Sequence, residues 1–366
     1  MLYMKLAVNT AATCNFGGIT ISMAAQPHVP IAFRKDFQQA QPSVNILAAD
    51  IGGTKVNIAL YRLDGNGLEM LNQKRYASKD YPSLTDIVHD FSAGKLPDRI
   101  CAAVAGPVIK GKSKLTNLSW QLDSGAMSKD MKVPVCFIND LEATAFGLAG
   151  LGKDELATLS EGEAGAKGNI AIIAPGTGLG EAGLYWDGQR YHPFATEGGH
   201  TDFGPRTDID VEIFRYLQQQ FGHVSWERVV SGMGIKNIYR FLTEKRRETV
   251  PEWLAERMKD GDPAAVISEC ALKHEDLVCG ETMELFVRYL ATEASCLVLK
   301  LMATGGLYLA GGIPPKILPL LQNDSWEKNF DNNGRMHQLS EKVPVHVVLN
   351  DKMALMGAAY FGAYNM

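Results

Sequence analysis

The segment 50–55, which reads Asp-Ile-Gly-Gly-Thr-Lys, constrains the fold of this chain more than any other. It follows the apolar run 46–49 and precedes an alternating run, so it predicts a strand, a tight turn and a returning strand. Adjacent glycines let the backbone approach a ligand closely and line an anion with N–H groups, while an aspartate can hold a cation. The hypothesis is a turn that binds phosphate and metal, and an ordinary glycine-containing hairpin is the alternative. The residues that it assigns to phosphate are Asp50, Gly52, Gly53, Thr54 and Lys55, with Asp50 also the metal ligand, directly or through water.

A second segment repeats this pattern. Residues 169–175 form an apolar run, residues 176–180 read Gly-Thr-Gly-Leu-Gly, and the chain then alternates again as far as Tyr191. Two such units in one chain predict a duplicated core, in which two glycine turns face each other across a cleft and hold phosphates from both sides. The residues assigned to phosphate in this second turn are Gly176, Thr177 and Gly178.

Length and composition indicate a globular protein of two ordinary domains, because the chain has 366 residues, 46% of them apolar and 21% charged. A net charge of −5 argues against a nucleic-acid partner. The six cysteines are scattered and mostly lie in apolar stretches, so we interpret them as reduced core residues of a cytoplasmic protein.

The chain is not expected to bind or cross a membrane. Its most apolar long stretch, 284–302, carries Arg288, Glu293 and Lys300, which favours a buried amphipathic helix. Residues 1–43 precede the first core strand and show no periodicity. We interpret them as a disordered extension or a misassigned start with Met23 as the true one. A signal peptide is the alternative, although polar residues interrupt its apolar part.

Two further glycine motifs resemble nucleotide sites. Residues 106–113 fit the Walker A pattern, but a P-loop needs a helix directly after Lys112, and the alternation that follows predicts a hairpin. Residues 178–183 fit the dinucleotide fingerprint, which should open a helix, yet a strand pattern follows. We therefore assign neither motif to nucleotide binding of these two kinds.

The coarse pattern is α/β throughout. Strands are expected at 46–63, 99–105, 133–138, 169–174, 182–191, 306–310 and 343–349. Helices are expected at 83–93, 141–149, 208–221, 225–248, 251–259, 263–273, 281–304 and 352–364. A hairpin followed by βα units, repeated twice, fits a duplicated ribonuclease-H-like core.

Several segments together resemble a known family. Residues 50–55, 176–180 and 309–312 (Leu-Ala-Gly-Gly) resemble the two phosphate motifs and the adenosine motif of the superfamily that includes sugar kinases, actin and heat-shock chaperones. Residues 137–145, 197–200 and 225–232 are similar, in order, to the catalytic and sugar-binding segments of bacterial glucokinases. The resemblance covers about residues 45 to 362.

This resemblance implies an α/β fold of the actin/hexokinase type, with two lobes and a cleft between them. The small lobe is expected at 44–150, joined by a C-terminal helix at 350–366, and the large lobe at 151–349. Residues 1–43 have no counterpart in the family core. A related branch of sugar kinases carries a cysteine-rich zinc loop, and the absence of cysteine between Cys136 and Cys270 disfavours that branch.

The resemblance also assigns roles to side chains. Asp140 ends an apolar strand and precedes a helix, so it can accept a proton from an attacking hydroxyl or cap the helix, and the residues alone do not decide between these roles. The resemblance favours catalysis. It implies sugar contacts for Asn139, Asp140, Glu197, His200 and Glu227. The alternative for His200 is a histidine of a surface loop, and the alternative for Glu227 is a solvated helix residue. It places adenosine against Gly311 and Gly312.

The function implied is ATP-dependent phosphorylation of D-glucose to glucose 6-phosphate in the cytoplasm, with Mg²⁺ as cofactor and Asp140 as general base. Glucose and ATP are the expected partners, and binding to nucleic acid or to a membrane is not expected. A homodimer is compatible with the resemblance. The alternatives are a kinase for another hexose or an amino sugar, and a sugar-sensing regulator that has kept the fold. ADP or polyphosphate remain alternative phosphate donors.

Overall fold

The computed structural model describes residues 29–35, 43–64, 67–115, 118, 120–163, 165–246 and 249–366. The strands are β1 Val44–Ile51, β2 Lys55–Asp64, β3 Gly67–Ala77, β4 Arg99–Val104, β5 Lys112–Lys114, β6 Gln121–Asp123, β7 Val135–Asn139, β8 Leu156–Ser160, β9 Ile170–Pro175, β10 Leu179–Trp186, β11 Tyr191–Thr196, β12 Gly306–Leu309 and β13 Val345–Val348. The helices are α1 Leu84–Ser92, α2 Ser124–Met131, α3 Asp140–Gly147, α4 Asp208–Phe221, α5 Gly232–Arg246, α6 Glu252–Asp260, α7 Pro263–Leu272, α8 Leu277–Leu301, α9 Leu318–Leu321, α10 Asp324–Phe330, α11 His337–Ser340 and α12 Met353–Tyr364.

Two large sheets repeat one topology. The first has the order β3-β2-β1-β4-β7, and the second has β11-β10-β9-β12-β13 with β8 added at the edge. With β8 left aside, the first three strands of each sheet along the chain form antiparallel pairs, and the next two join in parallel. The duplicated core predicted from the two glycine turns is therefore confirmed. Each glycine turn joins the first two strands of the repeated unit, β1 to β2 and β9 to β10.

Helices α3 and α12 join the two halves of the fold. They pack closely on each other, because Gly357 of α12 lies directly against the carbonyl of Ala143 and a methyl group there would overlap it. Helix α12 also covers β1 and β4, while α3 contacts β10 and β11 of the second sheet. The first residues of α3 are thereby placed between the two sheets, close to the start of β10.

The sequence patterns missed some elements. Strand β3 is exposed at most of its positions, so it has no apolar alternation that would mark a strand. Strand β8 is only partly buried at the sheet edge, and α2 is short with a weak apolar face. The long helix α8 begins earlier than predicted, at Leu277, because the carboxylate of Asp276 accepts the N–H of Cys279 as a cap.

Part of the segment interpreted as an extension is packed, which corrects the expectation of disorder there. Ile31 bridges to Tyr191 of β11, and the backbone N–H of Lys35 donates to Tyr364 at the end of α12. Val29, Ile31 and Phe33 are buried, and the Phe33 ring lies 5.7 Å from that of Phe146. Residues 29–35 therefore belong to the folded body, whereas 1–28 and 36–42 lie outside the described residues, along with the predictions made for them.

We expect Phe33→Ala to lower the free energy of unfolding by about 1–2 kcal/mol and to leave kcat unchanged. This is less than for a central core residue, because the segment is attached to β11 through an isolated bridge at Ile31 and can detach when its anchor is lost. The measurement is urea denaturation, with Pro30→Ala, an exposed neighbour, as the matched control. An unchanged midpoint would mean that the packing of 29–35 adds nothing to stability.

The Walker-like segment 106–113 is a hairpin, as predicted. Ile109 and Lys112 exchange backbone hydrogen bonds, and the strand that starts at Lys112 pairs with β6. The Lys112 ammonium lies 2.8 Å from Asp123, on the exposed side of this hairpin. The dinucleotide-like segment 178–183 likewise continues as β10 and opens no helix. Among the described residues, no helix is long and apolar enough to cross a membrane.

Lys112→Ala should leave kcat and the KM for ATP within about twofold of the wild type, because an exposed ion pair contributes little and this lysine faces no phosphate turn. Replacement of a P-loop lysine would instead greatly lower the rate of phosphoryl transfer. Steady-state kinetics with a thermal melt tests this, and a hundredfold loss in a folded variant would overturn the hairpin interpretation.

Candidate active site

Asp140 begins α3, and its neighbour Asn139 is the residue that caps the helix. The Asn139 side-chain oxygen accepts the N–H groups of Leu141 (2.9 Å) and Glu142 (3.1 Å), and its amide donates to the carbonyl of Gly106 (3.2 Å). Asp140 accepts the Leu141 N–H at 3.0 Å. The cap role considered for Asp140 thus belongs to Asn139, and the Asp140 carboxylate is not needed as the cap of α3.

The electrostatic surroundings of Asp140 keep it near the point of protonation. Burial raises the pKa of Asp140 to about 7, and the nearby charges of Asp50 and Glu197 add to this, while the Leu141 N–H opposes it. A carboxylate with a pKa near neutrality is an effective proton acceptor at physiological pH. The structure therefore brings Asp50, Asp140 and Glu197, which are far apart in sequence, to one site.

The first glycine turn orients Asp50. The amide of Asn57 on β2 donates to Asp50 at 3.2 Å, and the two residues are direct partners in the β1–β2 register. Burial raises the pKa of Asp50, with the Asn57 hydrogen bond and the charge of Arg75 opposing. The turn closes through a bond from the Gly52 N–H to the Lys55 carbonyl, at 3.0 Å. Thr54 and Lys55 are exposed at its tip.

The second glycine turn is supported by the segment 225–232. The Gly176 N–H donates to the Gly178 carbonyl, and the Gly232 N–H donates to the Gly176 carbonyl, both at 2.8 Å. Glu227 accepts the N–H of Leu179 at 3.0 Å, and a methyl group at Gly178 would overlap its carboxylate. The fold thus brings the Glu227 carboxylate onto the second glycine turn, a contact that the sequence did not indicate.

The loop 197–200 lies next to the same turn. Its one buried residue, Gly199, rests on the Leu179 carbonyl, where no side chain would fit. Glu197 and His200 are exposed, and their backbones are joined by a 3.1 Å bond from the His200 N–H to the Glu197 carbonyl. The start of α3 meets this region too, since Leu141 fills the space beside Gly180. Gly199 and Gly180, which have no side chain, therefore let the 197–200 loop and the start of α3 pack closely against β10.

The Leu-Ala-Gly-Gly turn after β12 completes one side of a large cavity. Gly311 has a φ of +82° and lies against the Pro175 carbonyl, so only glycine fits there, whereas Gly312 faces open space. The cavity has a volume of about 790 Å³, which is ample for a nucleoside. It begins at Gly176 and Thr177 and extends between α5 and α7.

The comparisons with known proteins decide the family. The model of the Glucokinase family matches residues 47–365. The chain belongs to the glucokinase family. It is 41% identical to the glucokinase of Nostoc punctiforme over 336 residues, which is 87% of this chain and 98% of that protein. The Synechocystis glucokinase is 40% identical over 348 residues, with 87% of this chain and 98% of that protein covered.

Solved structures of glucokinases share the fold. A glucokinase from an Antarctic psychrotroph superposes with a TM-score of 0.73 at 31% identity, covering 87% of this chain and 98% of that one. The glucokinase of Balamuthia mandrillaris, solved with glucose, has a TM-score of 0.72 at 21% identity, covering 88% and 94%. The predicted hexokinase-type fold and the prediction of a glucokinase enzyme, which phosphorylates glucose with ATP, are confirmed.

Glucokinase motifs alone did not reveal every residue of the site. Asn57 was missed because an asparagine on an alternating strand carries no signal of its own. The cavity wall was missed because it comes from helices α5 and α7, whose sequences show ordinary amphipathic patterns. The additional lining residues are Gly232, Met233, Ile235, Lys236, Asp262, Ala264, Ala265, Ser268, Glu269, Leu272, Ile313, Lys316 and Ile317. Only Gly232 lay in a segment that had been singled out.

Proposed function

We propose that Asp140 is the general base that accepts the proton of the glucose 6-hydroxyl as this oxygen attacks the γ-phosphorus of ATP. The observation that carries this proposal is that Asp140 lies near both Asp50 of the first turn and Glu197 of the 197–200 loop, with a pKa of about 7. Phosphoryl transfer depends mostly on alignment of the substrates and neutralisation of charge, so the base contributes a smaller part of the rate acceleration.

We propose that the nucleotide lies in the cavity between α5 and α7, with its adenosine against Gly311 and Gly312. Its phosphates would then extend past Gly176, Thr177 and Gly178 of the second turn towards the first turn. Gly52, Gly53, Thr54 and Lys55 are placed to receive the far end of the chain of phosphates through backbone N–H groups, a hydroxyl and an ammonium.

Asp50 is the residue proposed to hold Mg²⁺, through water or directly. The fit rests on the pair Asp50 and Asp140, whose neighbouring negative charges raise the pKa of Asp140 and would be relieved by a divalent cation. Mg²⁺ is commonly held by one or two carboxylates together with substrate phosphates and waters. When bound, the ion neutralises charge on the transferring phosphoryl group.

The sugar is proposed to lie between Asp140 and the 197–200 loop. Asn139 retains one amide hydrogen after its bond to Gly106, and Glu227 retains one carboxylate oxygen after its bond to Leu179. Glu197 and His200 are exposed and are the proposed contacts from the loop. Most hydroxyls of the sugar need a hydrogen-bond partner in the site, because each buried hydroxyl without one costs about 1–3 kcal/mol.

We further propose that the two halves, 44–150 with 350–366 and 151–349, close as lobes around the sugar and exclude water. Action in the cytoplasm is proposed because ATP is available there and the described cysteines are free thiols. A homodimer is also proposed, and its test is the molar mass in solution measured by light scattering.

The deciding experiment is a coupled assay of the purified protein over three donors and four sugars. The donors are ATP, ADP and polyphosphate, and the sugars are glucose, fructose, mannose and N-acetylglucosamine. We expect ATP with glucose to give the highest kcat/KM, by at least about tenfold. A higher value for another hexose would replace glucose as the substrate, and DNA binding without turnover would favour the sugar-sensing regulator.

A further inference from the structure

Two buried carboxyls lie beneath the 197–200 loop and have no part in the chemistry described so far. Glu181 on β10 is 1% exposed, and Glu293 on α8 is fully buried. Neither oxygen of Glu181, nor Oε2 of Glu293, receives a hydrogen bond from a donor in the described part of the chain. The two carboxyls are nevertheless within hydrogen-bonding reach of each other. As two carboxylates they would repel, whereas a proton between them satisfies both.

The charges around this pair favour one retained proton. The Lys300 ammonium donates to Glu293 at 2.9 Å, so the ionised form of Glu293 is paired. Burial raises the pKa of Glu181 to about 8, the charge of Glu293 adds to this, and Lys300 opposes it. The other titratable groups that face the pair are Arg206, before α4, and Cys296 on α8. Glu181 is therefore the member that carries the proton at neutral pH.

Glu181 contacts the 197–200 loop through both its side chain and its backbone. Its Oε2 occupies the space beside Gly198, where a methyl group would overlap it. The Thr196 hydroxyl donates to the Glu181 carbonyl at 3.0 Å and accepts the Gly198 N–H at 3.1 Å. An ionised Glu181 would be repelled by Glu293 and would need water or a donor, and Gly198 of the loop lies directly against the carboxyl that would have to shift.

We propose that Glu181 and Glu293 share one proton that holds the 197–200 loop in its sugar-binding position, so that release of this proton to solvent weakens glucose binding. Glu181 is a positioning residue that acts through Thr196 and Gly198. The inference rests on the sugar-binding roles proposed above for Glu197 and His200.

The kinetic test is the KM for glucose between about pH 6.5 and 9.5. In the wild type we expect this KM to rise about three- to tenfold above pH 8, while the KM for ATP does not follow. Glu181→Gln should keep the low KM without the rise, because its amide donates to Glu293 at every pH. Glu181→Ala should raise the KM already at pH 7. A wild-type rise that persists in Glu181→Gln would overturn the proposal.

Glu293→Gln serves as the matched variant and covers the case in which Glu181→Gln does not fold. Without the negative charge at position 293, and with an amide donor there, Glu181 should ionise more easily. The pH at which the glucose KM rises should therefore move down by about one unit or more. An unshifted rise would contradict a shared proton.

An infrared measurement detects the proton without any sugar. The experiment uses an Asp140→Asn background, which removes the carboxyl whose pKa is about 7. There, a carbonyl band of a protonated carboxylic acid should be present at pH 7 and should disappear near pH 8. It should be absent after Glu181→Gln. If the band is missing in the folded parent, the proposal fails. If the band titrates but the glucose KM does not follow, the link to the loop fails.

A separate pair of variants tests the sugar site on which this proposal rests. If Glu197→Gln and His200→Asn leave the glucose KM unchanged, the proposed sugar site is overturned.

Discussion

Asp140→Asn should fold and should lose about 10²–10⁴-fold in kcat, with little change in the KM for glucose. Asparagine keeps the shape of the side chain, and its oxygen can still accept the Leu141 N–H, but it cannot accept a proton from the sugar. The helix is not at risk, because Asn139 and not Asp140 provides the cap. Steady-state kinetics and a thermal melt test this.

The matched control is Glu142→Gln, which makes the same chemical change two residues further along α3. Burial raises the pKa of Glu142 as well, but this carboxyl faces Cys101 and Cys136 on β4 and β7. Its kcat should stay within about twofold of the wild type. An Asp140→Asn variant within about threefold of wild type would show that Asp140 is not the base.

The raised pKa of Asp140 also predicts how stability depends on pH. Between about pH 4 and 7 the unfolded chain has released this proton and the folded protein still binds it, so the contribution of Asp140 to stability falls as the pH rises. An asparagine side chain does not ionise and avoids this cost. Asp140→Asn should therefore be more stable than the wild type at pH 8, by about 1–3 kcal/mol, and by less at pH 4. Equal differences at both pH values would contradict the raised pKa.

Glu227→Ala should raise the KM for glucose about ten- to a hundredfold, since a charge-assisted hydrogen bond contributes roughly 1.5–3 kcal/mol. A residue that contacts only the sugar would leave the KM for ATP unchanged. The bond from Leu179 N–H to Glu227 changes this expectation, because the alanine variant leaves the second glycine turn without one of its supports. We therefore expect the KM for ATP to rise too, by a smaller factor of about three to ten.

Glu227→Gln separates the two effects. The glutamine oxygen can still accept the Leu179 N–H, so the KM for ATP should return close to the wild-type value. The negative charge towards the sugar is lost, so the KM for glucose should remain raised by about tenfold. A glucose KM that is unchanged in both variants would mean that the sugar contacts lie elsewhere and that Glu227 only supports the turn.

The sequence alone was enough to identify the repeated strand–turn–strand units. A glycine pair between an apolar run and an alternating run can be recognised locally, because backbone freedom and apolar periodicity depend only on neighbouring residues. The same local logic rejected a P-loop at 106–113, since the residues after Lys112 alternate as a strand. Helix α4 was predicted at its observed bounds, 208–221, for the same reason.

Contacts between distant segments could not be obtained in this way. The pattern at 225–232 marked Glu227 as polar but gave no sign that its carboxylate meets Leu179, almost fifty residues earlier. In the same way, the role of Asp140 stayed undecided between cap and base until the structure showed Asn139 in the cap position. Residues 29–35 show no periodicity in the sequence. Their burial depends on aromatic side chains of α3 and α12, on which Phe33 packs.

What the sequence determined by itself was thus the duplicated α/β core, the order of the glycine turns and the chemical types of residue near them. These depend on local periodicity and on conformations that only glycine adopts. The tertiary structure decided which charges face one another: Asp50 beside Asp140, Glu227 on the second turn, and Glu181 against Glu293. Such pairings follow from the packing of two sheets around α3 and α12, and they set the pKa values because burial and neighbouring charge are properties of the folded chain.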